Sequence, residues 1–563
     1  MTRSGRRIVR FGRGRESRRL LLAACLALLG ATPACFAGTP APRLAVLIVI
    51  DQFRADYLDR FAKHFGSGGF NLLLERGARL TEARFDHVPT VTCAGHATIA
   101  TGSPPALTGI VGNEWWNAAE RRVEYCARDD AAPLVGDPSE GRSPRNLIGA
   151  TIGDMLKLSN RGASRVIAVA GKDRAAIMLG GHLADAAYWL AGTQFVTSTY
   201  YRRDLPGWAA SANSAKPVEQ YFGKTWDRAL PTEAYASLGP DDDPAEVAKS
   251  GVGRTFPHLI GAGLAKDDPA LIEAFETSPF ENEVVVDFAI AAIRNERLGR
   301  GAATDLLALG LSANDHIGHA FGPDSQEVLD ATVRTDRLLA RFFAFLDQQI
   351  GLANVVIVLS ADHGVAPVPE LVNRLNPRSG AARIDPATIA RAAEAALVQR
   401  FGRRDDGRSW VVFHEAPYLY LDERELAARH IAVADAEAAA RDALAAVPGV
   451  FAAYSRTELR AAQTAGGTSD VLAGFNAARS GNVLYVTAPF VIEDSGQAGT
   501  THGSPWSYDE RVPMLWYGAA IAPGAYGTAA VVRDLAPTLA RILGVESPTG
   551  ATGRVLTEVL RLR

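Results

Sequence analysis

The run Arg43-Leu44-Ala45-Val46-Leu47-Ile48-Val49-Ile50 is apolar almost without a break, and it stops at Asp51-Gln52. A strand with one wet face alternates polar and apolar residues. A continuous run needs cover on both faces, which is how a central parallel strand reads. The same pattern recurs. Val166–Ala170 stops at Gly171-Lys172-Asp173-Arg174, Asp305–Leu311 at Asn314-Asp315, and Asn354–Leu359 at Ala361-Asp362-His363-Gly364, with a late strand over Met514–Tyr517. Helical patterns fall between them, over Phe70–Gly77, Phe280–Leu298, Gln326–Gln349 and Asp534–Leu543. Strands alternating with helices predict an α/β fold, a doubly wound and mostly parallel sheet with its site at the strand tips.

Two stretches interrupt this alternation. Residues 191–280 are rich in aromatics such as Tyr200, Trp208, Tyr221 and Trp226, and residues 371–480 mix Ala-rich helices with short strands. Both read as insertions packed together as a cap, the aromatics forming insertion core. The core then comes in three parts, 38–190, 281–370 and 481–563. At 563 residues, with 47% apolar and 21% charged content, the chain is long enough and ordinary enough in composition to bury a large core.

The first 19 residues carry eight Arg and one Glu, followed by the apolar run Leu20–Gly30 and the cleavage-like Cys35-Phe36-Ala37. The run is short for a bilayer span, so residues 1–37 read as a signal peptide and the mature chain as periplasmic or secreted, with no stable membrane span. Ser17-Arg18-Arg19-Leu20-Leu21 leaves both Sec and twin-arginine routes open, and Leu22-Ala23-Ala24-Cys25 weakly resembles a lipoprotein box. An uncleaved anchor helix is the alternative. Without this segment 51 basic and 61 acidic residues remain, a net charge of about −10, which argues against nucleic acid as a general partner. Cys93 and Cys126 are then the remaining cysteines, either paired or buried as thiols. Oligomeric state is left unassigned, a monomer included.

Val88-Pro89-Thr90-Val91-Thr92-Cys93-Ala94-Gly95-His96 reads as a loop running into a short helix, with Thr90 or Thr92 as its cap. A threonine hydroxyl there is a candidate nucleophile, but it is inert at neutral pH without a base or a metal. Ligands for a metal are present. Asp315 and His319 stand four apart on one helical face, Asp362-His363 follows one buried strand, Asp51 ends another, and His502 lies in the glycine-punctuated Gly499-Thr500-Thr501-His502-Gly503 loop. A nitrogen and oxygen set without thiolates suits zinc better than magnesium or calcium.

Seven motifs in order resemble the alkaline phosphatase superfamily, and within it the threonine-nucleophile, phosphate-irrepressible alkaline phosphatases related to type I phosphodiesterase/nucleotide pyrophosphatases. They are Val49–Gln52, Thr92–His96, Gly109–Asn113, Gly171–Arg174, Asn314–His319, Ser360–Gly364 and Thr501–Pro505. The resemblance implies two Zn²⁺ per chain, one held by Asp315, His319 and His502, the other by Asp51, Asp362 and His363. It implies Thr92 as nucleophile, with Asn113, the nearby main-chain N–H, Lys172 and Arg174 binding phosphoryl oxygens of small phosphate monoesters. Thr108 departs from relatives that often carry His there. A Lys and a forked Arg match a monoester dianion better than a diester. A phosphodiesterase or nucleotide pyrophosphatase on the same scaffold is the rival reading. A sulfatase fits less well, because Cys93 is followed by Ala94-Gly95-His96 rather than Cys-x-Pro-x-Arg. A non-catalytic exported binding protein would be expected to lose a ligand or the nucleophile, and all are present.

Overall fold

The computed structural model describes residues 41–561. The signal segment and its lipoprotein-like box lie outside these residues. Nine strands form one sheet: β1 Leu44–Ile50, β2 Ala78–Arg84, β3 Val166–Ala170, β4 Ala186–Ala191, β5 Gln194–Val196, β6 Asp305–Leu311, β7 Val355–Ser360, β8 Met514–Tyr517 and β9 Gly524–Val531. Their spatial order is β9-β2-β8-β7-β1-β6-β3-β4-β5. All run one way except β8 and β5, which pair antiparallel with their neighbours. Every residue of β1 is buried, as is every residue of β6, β7 and β3. That is the reason these runs do not alternate: both faces are covered.

The order matters for the site. In the parallel block β7-β1-β6-β3, Val49 pairs with both Ser360 and Gly310, and Gly310 with Ala170. The chain segments leaving these four strands carry Asp362, Asp51, Asp315 and Lys172. Residues more than 300 apart in sequence are thereby brought to one edge, at the carboxyl ends of adjacent strands, where an open α/β sheet places its site.

The two interrupting stretches pack differently, although Phe195 and Trp226 of the first and Tyr418, Tyr420 and Phe475 of the second all join the main apolar cluster. Residues 191–280 begin with β5 and lie on the main core: Phe195 stacks on Phe288 at 3.8 Å, and Trp226 Nε1 donates to Asp330 Oδ1 at 2.8 Å. The second stretch builds its own body. Val411–Glu415, Tyr418–Leu421, Val483–Thr487 and Val450–Ser455 form a four-stranded antiparallel sheet in that order. Ile389, Leu397, Trp410, Leu419 and Leu444 fill a separate apolar cluster beneath it. The strand Val483–Thr487 completes this sheet, so the small body reaches past residue 480, and Val491–Glu493 pairs with Ala382–Ile384. Among the described residues no helix is long and apolar enough to cross a membrane.

Candidate active site

Helix Thr92–Thr101 starts where the sequence reading places it, but neither threonine caps it. Val91 occupies the cap position with extended backbone and no side-chain bond, Thr90 Oγ1 donates to Ser504 O at 2.9 Å, and Thr92 is the first helical residue. Gly95 is required for the helix to sit where it does: a Cβ there would lie 2.2 Å from Asp362 O. The helix thus packs directly against the main chain of one carboxylate cluster.

The six expected ligands converge. Atoms offered by Asp51, Asp362 and His363 lie within 4.8 Å of one another, and so do atoms of Asp315, His363 and His502. His363 belongs to both sets, so the two adjoin. His363 Nε2 lies 3.3 Å from Asp51 Oδ1 and 3.5 Å from Asp362 Oδ2. His319 Nε2 lies 3.2 Å and His502 Nε2 3.6 Å from Asp315 Oδ1. The rings of His363 and His502 stack at 3.6 Å.

Each imidazole is aimed by a main-chain carbonyl. Nδ1 of His319 bonds Thr500 O at 2.8 Å, Nδ1 of His363 bonds Gly364 O at 2.9 Å, and Nδ1 of His502 bonds Thr90 O at 2.8 Å. A proton on Nδ1 leaves Nε2 as the lone pair, facing the carboxylates, which is the arrangement of a ligating histidine. Burial pushes His363 down to about 3; burial and the neighbouring imidazoles hold His502 well below its ordinary value. Both rings are neutral, the form that binds a metal. Burial and the adjacent Asp51 push Asp362 up to about 7. Asp315 stays well below the ordinary range despite burial, because Lys172 and His319 face it. Asp51 Oδ1, Asp362 Oδ2 and His363 Nε2 are buried without a hydrogen-bond partner among the described residues. Three crowded carboxylates, two of them with an orphaned oxygen, and neutral imidazoles are a donor set that fits divalent metal ions.

Lys172 is buried, and its Nζ lies 2.7 Å from Asp51 Oδ2 and 2.5 Å from Asp315 Oδ2. It therefore bridges the two carboxylates here. Arg174 follows at the start of helix Asp173–Gly180, beside the Tyr125 ring oxygen, which bonds Asp173 Oδ1 at 2.6 Å. Asn113 Oδ1 accepts from the Cys93 N–H at 3.0 Å, so that main-chain donor is already engaged and the Nδ2 group of Asn113 is the one left to offer a ligand. Cys93 and Cys126 are joined in a disulfide, their Cα atoms 6.6 Å apart. The bond ties the start of the Thr92 helix to the hairpin Glu114–Asn117/Arg122–Tyr125, which directly follows Asn113.

The family model for type I phosphodiesterase/nucleotide pyrophosphatase matches residues 45–474. The chain belongs to this family. Among curated relatives of this phosphodiesterase/pyrophosphatase-family chain, a protein of Myroides odoratus named calcium-transporting ATPase is 36% identical over 92% of this chain and 95% of its own. Alkaline phosphatase PafA of Elizabethkingia meningoseptica is 34% identical over the same shares. Alkaline phosphatase PhoV of Synechococcus elongatus is 33% identical over 94% and 95%. The crystal structure of wild-type PafA superposes with a TM-score of 0.87 at 33% identity, covering 93% of this chain and 99% of that one.

Two residues of this family member that the sequence reading passed over stand inside the site. Gln52 Nε2 donates to Asp315 Oδ1 at 2.6 Å, and the Gln52 N–H donates to Asp362 Oδ1 at 3.1 Å. His96 Nδ1 lies 3.1 Å from Asp362 Oδ2 and 2.9 Å from Thr92 O. Burial disfavours the His96 cation, yet Asp362 raises its pKa above the ordinary value. Adjacency to Asp51 and the four-residue step from Thr92 were the available signals. A cavity of about 350 Å³ opens beside His319, His502 and Asn113, and its far side carries His414, Tyr485 and Glu493, which no local pattern marked.

Proposed function

We propose that the chain is an exported alkaline phosphatase, a phosphoric monoester hydrolase that works with two zinc ions through a phosphothreonine on Thr92. One observation carries this reading. Two ligand sets sharing His363 meet at adjacent strand tips, and both adjoin the nucleophile segment, one through the His502 bond to Thr90 O and the other through His96, which bonds Thr92 O and lies 3.1 Å from Asp362 Oδ2. The alkaline phosphatase relatives and the PafA superposition support the same activity.

Asp315, His319 and His502 would hold one ion, and Asp51, Asp362 and His363 the other. When bound, the ions supply Lewis acidity that lowers the hydroxyl pKa and stabilises the entering and leaving oxygens of an in-line displacement. Thr92 Oγ1 loses its proton and bonds to phosphorus, and the bond from phosphorus to the alcohol oxygen breaks. Water then bonds to phosphorus and the Thr92 oxygen departs, releasing phosphate with retained configuration. Asn113 Nδ2 offers a donor to one phosphoryl oxygen. Lys172 and Arg174 offer charge to the others, stabilising negative charge spread over oxygens.

The family model also covers diesterases, which makes a phosphodiesterase the second reading. Lys172 and Arg174 favour the monoester, since a diester lacks the second charged oxygen that would pair them. The deciding experiment is Thr92→Ala in zinc-loaded protein. Release of phosphate from p-nitrophenyl phosphate should vanish while zinc content stays at two per chain, and undiminished turnover would remove Thr92 from this role.

A further inference from the structure

The cavity beside the ligand clusters has two walls of different origin. The near wall, His319, His502 and Asn113, belongs to the metal-bearing core. The far wall belongs to the small inserted body: His414 and Glu415 end the strand Val411–Glu415, Tyr485 lies on Val483–Thr487, and Glu493 ends Val491–Glu493.

The far-wall groups are organised among themselves. His414 Nε2 lies 2.7 Å from the Tyr485 hydroxyl and 3.2 Å from Glu493 Oε1, and the Tyr485 hydroxyl donates to Glu493 Oε2. The side chains of His414 and Glu493 are only 9% and 8% exposed, so this part of the wall is built rather than solvated, with Glu415 exposed at its rim. Its charge is of one sign. Glu415, Glu493 and Asp509 line the cavity, and among the described residues no lysine or arginine does.

We propose that this wall is a leaving-group subsite that accepts uncharged, hydroxyl-bearing alcohols and rejects alcohols carrying a second anionic group. The proposal rests on the phosphomonoesterase reading above. A phosphoryl group held by Asn113 and the ligand clusters leaves its alcohol half facing the cavity that these residues border. Hydroxyl groups can donate to the Glu493 and Glu415 carboxylates, and the Tyr485 hydroxyl, engaged by Glu493 and His414, fixes where the Glu493 carboxylate stands. A second phosphate would be brought beside two carboxylates with no cation to pair it, and a like-charge contact out of bulk water is costly. Burial pushes Glu493 up to about 7 and His414 down to about 4, so at pH 9 the wall is an ionised carboxylate beside a neutral imidazole.

The test compares kcat/KM at pH 9 for glucose 6-phosphate and glucose 1,6-bisphosphate, each normalised to p-nitrophenyl phosphate, on zinc-loaded protein. The bisphosphate should be poorer by at least about tenfold. In the Glu415→Gln/Glu493→Gln protein that gap should narrow to less than half its wild-type size. If the double variant does not fold, Glu415→Gln alone, at an exposed position, should still narrow the gap. Equal wild-type values, or a gap that no variant moves, would overturn the subsite while p-nitrophenyl phosphate turnover still supports the phosphatase. Failure of zinc-loaded wild-type protein to turn over p-nitrophenyl phosphate would overturn the phosphatase reading, and the subsite with it.

Discussion

Gln52 holds Asp315 through a 2.6 Å hydrogen bond from its side-chain amide, and its main-chain N–H reaches Asp362 at 3.1 Å. One residue thus fixes a carboxylate of each ligand set. Its φ of 60° is unusual for a residue with a side chain, and the local structure holds it there. Gly318, between Asp315 and His319, makes room for it, since a Cβ there would lie 1.8 Å from Gln52 Oε1. Outer partners of metal ligands are worth about 10–100-fold in affinity. Gln52→Ala should weaken zinc binding by that order in a chelator competition titration, with the far-ultraviolet spectrum unchanged. Wild-type affinity in the variant would remove Gln52 from the site.

Gly95 is the second point of close approach. Its missing Cβ lets the Thr92 helix touch Asp362 O, a main-chain atom that cannot rotate away. Gly95→Ala should destabilise the protein by about 1–3 kcal/mol through overpacking. It should also depress phosphate release, because the helix carrying Thr92 must shift. A thermal unfolding midpoint equal to that of the wild type would contradict the packing described.

The Cys93–Cys126 bond closes a loop of separation 33 around the hairpin that follows Asn113. Cross-links of such loops stabilise by about 2–4 kcal/mol. Cys93→Ser/Cys126→Ser should lose stability of that order in denaturant titration. Its KM should rise as well, because Asn113 is bonded to the Cys93 N–H. A midpoint that does not move would show that the bond constrains nothing.

Glu246 is buried, and burial together with Glu327 and Asp243 pushes its carboxyl up to about 10. In the unfolded chain an ordinary glutamate has lost its proton above about 4.3. Between those values the native state binds one proton more than the unfolded state, so stability falls as pH rises, by about 1.4 kcal/mol per pH unit for one proton. Glu246→Gln should raise the unfolding midpoint at pH 8 and flatten its decline between pH 5 and 9. An identical slope in both proteins would mean Glu246 is ionised in the fold.

Lys172 and Arg174 are the pair expected to separate monoester from diester chemistry. Lys172→Ala/Arg174→Ala should reduce kcat/KM for p-nitrophenyl phosphate far more than for bis-p-nitrophenyl phosphate. Equal losses on both would refute the argument from charge pairing.

The central strands were legible because burial on both faces leaves a mark on every residue: Asp305–Leu311 and Val166–Ala170 appear with the bounds that their apolar runs suggest. The convergence of the candidate ligands was legible for a related reason, since polar residues directly after such runs have few other places to be. Gln52 and His96 were missed because their roles depend on which loops meet, and strand order alone decides that. What the insertions pack against was illegible for the same cause. The aromatics of 191–280 read the same whether they pack on Phe288 and Asp330 or on the second insertion. The far wall of the cavity draws on residues 414 and 485 of the antiparallel sheet and residue 493 of a separate parallel pair, a meeting that leaves no periodic trace.

The small sheet packs Leu419, Leu421, Val483 and Tyr485 into an apolar cluster of its own, while Tyr418, Tyr420, Leu484 and Val486 join the cluster under the strand tips. The wall facing the alcohol and the strand tips facing phosphorus thus come from different sheets that lean on one another. Exchanging residues 382–493 between related proteins should transplant a taste for particular alcohols while leaving the phosphorus chemistry where it was.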